Sequence, residues 1–125
     1  ALYTIHWEVD QYIPKVIHRT EKVQNDLTAT NCPANIIRAA NKYTNSLITE
    51  KDIAGAAYVL TGAHLMGGEI MRRRLVGYPT THLEWDDRKA ALVELNKFRE
   101  REDIVEESKN CFHALLKIMD EIKAD

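Results

Sequence analysis

Between Thr49 and Gly77 one helical stretch carries four glycines, and few folds accommodate that. Thr49 and Asp52 have the spacing of a capping box, in which the Thr hydroxyl accepts from the opening amides and the Asp carboxylate reaches back. At the other end Gly77 suits a left-handed stop, and Pro79 prevents continuation. The expected helix therefore runs from Thr49 to about Val76. Inside it Gly55, Gly62, Gly67 and Gly68 each cost roughly 1 kcal/mol relative to Ala, so some interaction has to offset several kcal/mol. Close packing is one such interaction, because Ala56, Ala63 and Gly67 fall on one face and let a neighbouring helix approach. A flat aromatic ligand is the other, since paired glycines let the backbone bend and lie directly against it. Residue types alone leave both open.

The rest of the chain reads as helix. Apolar residues recur at three- and four-residue steps through Leu2, Ile5, Val9 and Tyr12, then through Val16, Ile17, Val23 and Leu27, with a break at Pro14. "TNCPAN" (30–35) reads as a turn with Pro33 at the first helical position, followed by Ile36, Ile37, Ala40, Tyr43 and Leu47 in helical register. A further helix is expected from about Asp86 to Phe98. The last one carries Ile104, Ser108, Cys111, Leu115, Ile118 and Ile122 as a seam. No stretch alternates like a strand. The expectation is one all-α domain, residues 1–125, built as a multi-helical bundle of about five helices.

Composition narrows the function classes. The 125 residues carry 17 Lys and Arg against 19 Asp and Glu, a net charge of -2, and both signs are spread along the chain, which argues against a nucleic-acid surface. The longest apolar runs fall far short of the roughly 20 residues a membrane span needs. Cys32 and Cys111 form neither a CxxC pair nor a zinc-ligand spacing, so a reducing, intracellular setting (cytoplasm or organelle interior, not secreted) is expected. Neither cysteine has a His and Asp/Asn arrangement that reads as a nucleophile, and "LMGGE" follows helix rather than strand, which fails the context test for a phosphate loop.

The order of residues says more. "YVLTGAHLMGGEIMRRRL" (58–75) resembles the distal helix of heme oxygenases, closest to the bacterial biliverdin-producing branch, with the approximate pattern YVLEGxxLGGxxxxxxL. Downstream, "WDDRKAALVELNKF" from Trp85 and "DIVEESKNCFHALLKIMDEI" from Asp103 are similar to that family's last two helices, with Trp85 and Phe112 at its aromatic positions. Upstream, "HRTEKVQNDL" (18–27) is similar to the family segment HRxxxLxxDL. This chain has one residue more than the family pattern between Leu60 and Gly67. The resemblance begins after the helices that supply the proximal histidine, and so implies a heme oxygenase-like bundle shortened at its N-terminus.

The resemblance implies heme as the cofactor, with Gly62, Ala63, His64, Gly67 and Gly68 facing it and His64 as the candidate iron-side residue. Arg88 and Lys89 fall near the family's basic residues on the penultimate helix; Arg88 suits a propionate better because guanidinium binds carboxylate bidentately. His18 matches a position that is not the iron ligand, and His6 lies on a helix corresponding to a later one. His82 reads as a loop residue and His113 as the edge of a packing face. Arg72, Arg73 and Arg74 read as a solvated turn favoured by the helix dipole. Two functions follow from the resemblance. One is a non-catalytic relative that binds or builds a larger assembly, its partner or second copy covering the flank left by the missing helices. The other is part of an active heme oxygenase that cleaves heme to biliverdin, CO and iron with O2 and reductant. The first is preferred, because without a proximal histidine the site lacks its iron ligand, and function has to be argued from the site.

Overall fold

A computed structural model describes residues 2–30 and 37–124. Over them the chain is all-helical: α1 (Leu2–Asp10), α2 (Thr20–Thr30), α3 (Arg38–Asn45), α4 (Glu50–Met66), α5 (Gly68–Arg74), α6 (Arg88–Arg99) and α7 (Val105–Ala124), with single 3-10 turns at Lys15–Ile17, Thr81–Leu83 and Glu102–Ile104. The expected turn around Pro33, together with Cys32 and Ile36, lies outside the described residues. Among the described residues no helix is long and apolar enough to cross a membrane.

Among the described residues seven helices stand where about five were expected, and the main correction falls in the glycine stretch. Gly67, at φ -100° and ψ -8°, ends α4 while its own N–H still bonds Ala63 O at 3.1 Å. A short second helix then restarts at Gly68 and stops at Arg74 rather than at Val76. Gly77 does take the left-handed conformation, φ 88°, but two residues beyond the last helical turn's cap. Two helix starts also shift: α3 begins only at Arg38, with Ile37 extended before it, and the start of α2 moves for a physical reason. The helix expected from Val16 begins only at Thr20, because the Asp10 carboxylate on α1 accepts the N–H of Arg19 at 2.9 Å and of Thr20 at 2.7 Å, satisfying amides a helix start leaves open.

The capping box forms as the spacing predicts. Thr49 Oγ1 accepts the Asp52 N–H at 3.2 Å and Asp52 Oδ2 accepts the Thr49 N–H at 3.0 Å. Thr49→Ala should therefore cost about 1 kcal/mol, read as a lowered urea midpoint with unchanged slope.

Helix α4 is the axis of the bundle. Its Ile53, Ala56, Ala57, Val59 and Leu60 are buried among residues of α1, α3 and α7, while Leu65 joins Ile17, Ala91 and Leu95 in a second cluster under α6. Ile13, Tyr58 and Phe98 pack against both clusters and join them. Close packing falls on a glycine outside the predicted stripe. At Gly55 a side-chain carbon would lie 2.7 Å from Glu107 Cβ and 2.8 Å from the Glu107 carbonyl carbon, so α7 crosses α4 at a point where no side chain fits. Of the predicted stripe, Ala56 is buried, Ala63 is exposed and Gly67 is the helix break.

Candidate functional site

Three histidines from distant parts of the chain meet beneath α4. His64, one turn before the Gly67 break, lies with its ring centre 5.2 Å from His6 of α1 and 5.4 Å from His82 of the Thr81–Leu83 turn. His6 is 1% exposed and His64 8%. Within the protein His6 Nε2 and His64 Nδ1 make no hydrogen bond. His82 is held more firmly. Its Nδ1 makes a very short contact with Asp26 Oδ2, and the same carboxylate accepts the N–H groups of Thr81 and His82 at 2.9 and 2.8 Å. Asp26 on α2 thereby caps the turn that presents His82.

A buried cation closes the group. Arg19 is 2% exposed, donates from Nη1 to the carbonyls of His82 and Glu84 at 3.0 and 2.8 Å, and lays its guanidinium 3.5 Å from the Trp85 ring centre. Its Nε donates to His18 O at 2.8 Å. These contacts stitch the start of α2 to the loop before α6. They also leave the guanidinium charged: burial lowers its pKa to about 10, against the opposing pull of Asp10 and Asp86.

The electrostatics follow from burial. His6 is pushed down to about 3, first by burial and then by His64, Arg19 and His82. His64 is pushed down to about 4 by burial, His82 and Arg19. Both imidazoles are therefore neutral at pH 7. For Asp26 burial works against the charged form, but the hydrogen bonds from His82 and Thr81 outweigh it and hold its carboxyl below the usual range. Among the described residues no group of three or more His, Cys, Asp or Glu side chains is arranged to hold a metal ion. Cys111, the free cysteine in the described core, is fully buried, and burial pushes its thiol up to about 11, far from a nucleophile's range.

The residues singled out by the resemblance do not line one slot. Gly62 is half-buried, and the nearest atom to a side chain there would be Leu95 Cδ1 on α6 at 4.0 Å. Ala63 and Lys89 are exposed. Gly68 is buried against Leu83, and Gly67 faces the Ala63 carbonyl. Arg88 spends its Nη2 on Leu65 O at 3.2 Å and borders a small cleft of about 240 Å³ with Leu65, Arg72 and Trp85. His64 is 8% exposed with the rings of His6 and His82 as its neighbours, so little of its own ring is open to a macrocycle. In this arrangement these side chains do not fit a heme. An open cleft of about 780 Å³ lies elsewhere, between α1 and α2, bordered by Trp7, Asp10, Arg19, Lys22 and Asp87.

Sequence reasoning singled out His64 but not His6, His82 or Arg19 as its neighbours. A local hint exists in His6 and Asp10, one turn apart on the same face of α1. Nothing local points to His82, which arrives through the Asp26 carboxylate. His18 bonds Ile13 O at 2.7 Å, and His113 is exposed on α7. No protein-family model, curated protein or solved structure matches the chain.

Proposed function

We propose that this chain is a heme oxygenase-like, non-catalytic module that works by binding, as a structural subunit of a larger assembly. One observation carries the reading: α7 presents an apolar stripe to solvent. Val105, Phe112, Leu116 and Met119 are each more than half exposed, and their seven-, four- and three-residue steps put them on one helix face beside the face that packs into the core. Contiguous exposed apolar surface of this kind marks an interaction site more often than isolated surface residues do. The burial of His64 beside His6 and His82 and the neutral, buried Cys111 thiol support the non-catalytic part.

Sedimentation velocity on the natural polypeptide tests the binding role, with the expected result a species larger than the monomer, or a stoichiometric complex with a copurifying partner. A monomer at every concentration, with no partner, would overturn it. Heme addition tests the other half. The expected spectrum lacks a sharp Soret band. A sharp band, with a bilin formed on adding reductant and O2, would replace this reading with that of part of a heme-cleaving enzyme.

A further inference from the structure

We infer that the occupant of the α7 stripe is the α7 of a second copy of this chain, packed antiparallel across a two-fold axis near the helix centre. This inference rests on the binding role proposed above and names the partner. The charges flanking the stripe carry it. Glu106 and Lys109 stand near the start of α7, Asp120 and Lys123 near its end, and all four are exposed. When two copies of the helix overlap fully, first residue over last, Glu106 of each meets Lys123 of the other and Lys109 meets Asp120. Phe112 and Leu116 of the two copies then meet at the centre, with Met119 and Val105 outward of them. A two-fold axis makes every favourable pair occur twice. The parallel alignment leaves Glu106 and Lys123 at opposite ends of the contact and forms none of these opposite-charge pairs, so the charges favour the antiparallel one.

The geometry of the helix suits this pairing. At 1.5 Å per residue, the 20 residues of α7 offer a contact about 30 Å long. The stripe is offset from the buried seam of Ile104, Cys111 and Ile118, so the second copy would dock without disturbing the packing of α7 on α3 and α4. Opposite-charge pairs at the rim contribute mainly register and orientation, while the apolar centre supplies most of the affinity. One helix pair is a small interface, and a dissociation constant in the micromolar range is expected.

Charge exchange tests both the face and the direction. Sedimentation velocity on the full chain should show a reversible dimer. Leu116→Glu should raise its dissociation constant by roughly a hundredfold, since it places a carboxylate in the apolar centre. Lys109→Asp should raise it by about tenfold at low salt by setting like charges together twice, and the double variant K109D/D120K should restore it. Far-UV circular dichroism on each variant verifies that the exposed substitutions leave the helices intact. A dimer insensitive to Leu116→Glu and Lys109→Asp would place the interface on another face and overturn this inference while the binding role stands. Loss in Lys109→Asp without rescue in K109D/D120K would overturn the antiparallel register. A monomeric wild type without a partner would remove both the inference and the role.

Discussion

Between pH 7 and pH 5 the fold is expected to lose on the order of 4 kcal/mol of stability, most of it through His6 and His64. An unfolded histidine titrates near 6.5, whereas these two titrate at about 3 and about 4 in the folded chain. Their folded pKa values are depressed, so in this window the unfolded state binds more protons than the folded one. Stability is then fully present above 6.5 and falls as pH drops below it. The cause is geometric. Charging either ring sets a buried cation beside another imidazole and near the permanent charge of Arg19, with burial as the largest penalty. Asp26 also has a depressed pKa, but as a carboxylate it acts at lower pH, below the window in which the histidines dominate. Urea unfolding at pH 7, 6 and 5 measures the slope. His6→Gln, which keeps a polar side chain and removes the titration, should cut the slope by about half. Equal stability at pH 5 and pH 7 would mean that these rings open to solvent without cost, and the buried cluster would not stand.

The second large effect is Gly55→Ala, which should destabilise the fold by about 3 kcal/mol. The new methyl carbon would sit 2.7 Å from Glu107 Cβ, 2.8 Å from the Glu107 carbonyl carbon and 2.9 Å from the Ser108 nitrogen. Two of those atoms are backbone of α7, which cannot rotate away as a side chain would. Relief requires separating α4 from α7 along their shared core around Cys111 and Ile118. Gly62→Ala supplies the opposite sign in the same helix. There the nearest atom is Leu95 Cδ1 at 4.0 Å and the backbone is ordinary helix, so replacing Gly should stabilise by about 0.5–1 kcal/mol. Thermal or urea melts of the two variants give the difference. If both substitutions were neutral, the close crossing of α4 and α7 at Gly55 would be incorrect.

These two glycines show how far a sequence can be read. The rule that a helix-interior glycine needs an offset holds, and at Gly55 the offset is a crossing helix. Which glycine meets that helix depends on where α7 passes, and the chain between them is too long for local spacing to say. The predicted stripe of Ala56, Ala63 and Gly67 was geometrically sound as one face of a continuous helix. The break at Gly67 and the exposure of Ala63 dissolve it, and near its end α4 packs on α6 through Leu65 instead.

Local chemistry was legible wherever both partners are a few residues apart. The Thr49–Asp52 box, the apolar seam of the last helix as far as Ile118 (Ile122, expected in it, is exposed) and the left-handed Gly77 all depend on backbone geometry that repeats every few residues, and sequence order carries that geometry directly. Helix starts that borrow their caps were not legible. Asp10 caps α2, Asp26 caps the Thr81–Leu83 turn, and Glu121 on α7 accepts the N–H groups of Arg38 and Ala39 at 2.6 and 2.9 Å to open α3. In each case the acceptor lies on another element, so the boundary belongs to the packing rather than to the segment.

The same division applies to the site. By itself the sequence determined an all-helical chain, where most helices lie, and that His64 sits beside a weak point in the central one, because these follow from periodicity and residue type. Only the tertiary structure decided that His64 faces His6 and His82 rather than an open slot, and that Arg19 is buried over Trp85 with its charge intact. Those contacts join residues up to the full span from α1 to the turn before α6. Burial and mutual distance set their protonation, and neither quantity exists until the helices have packed.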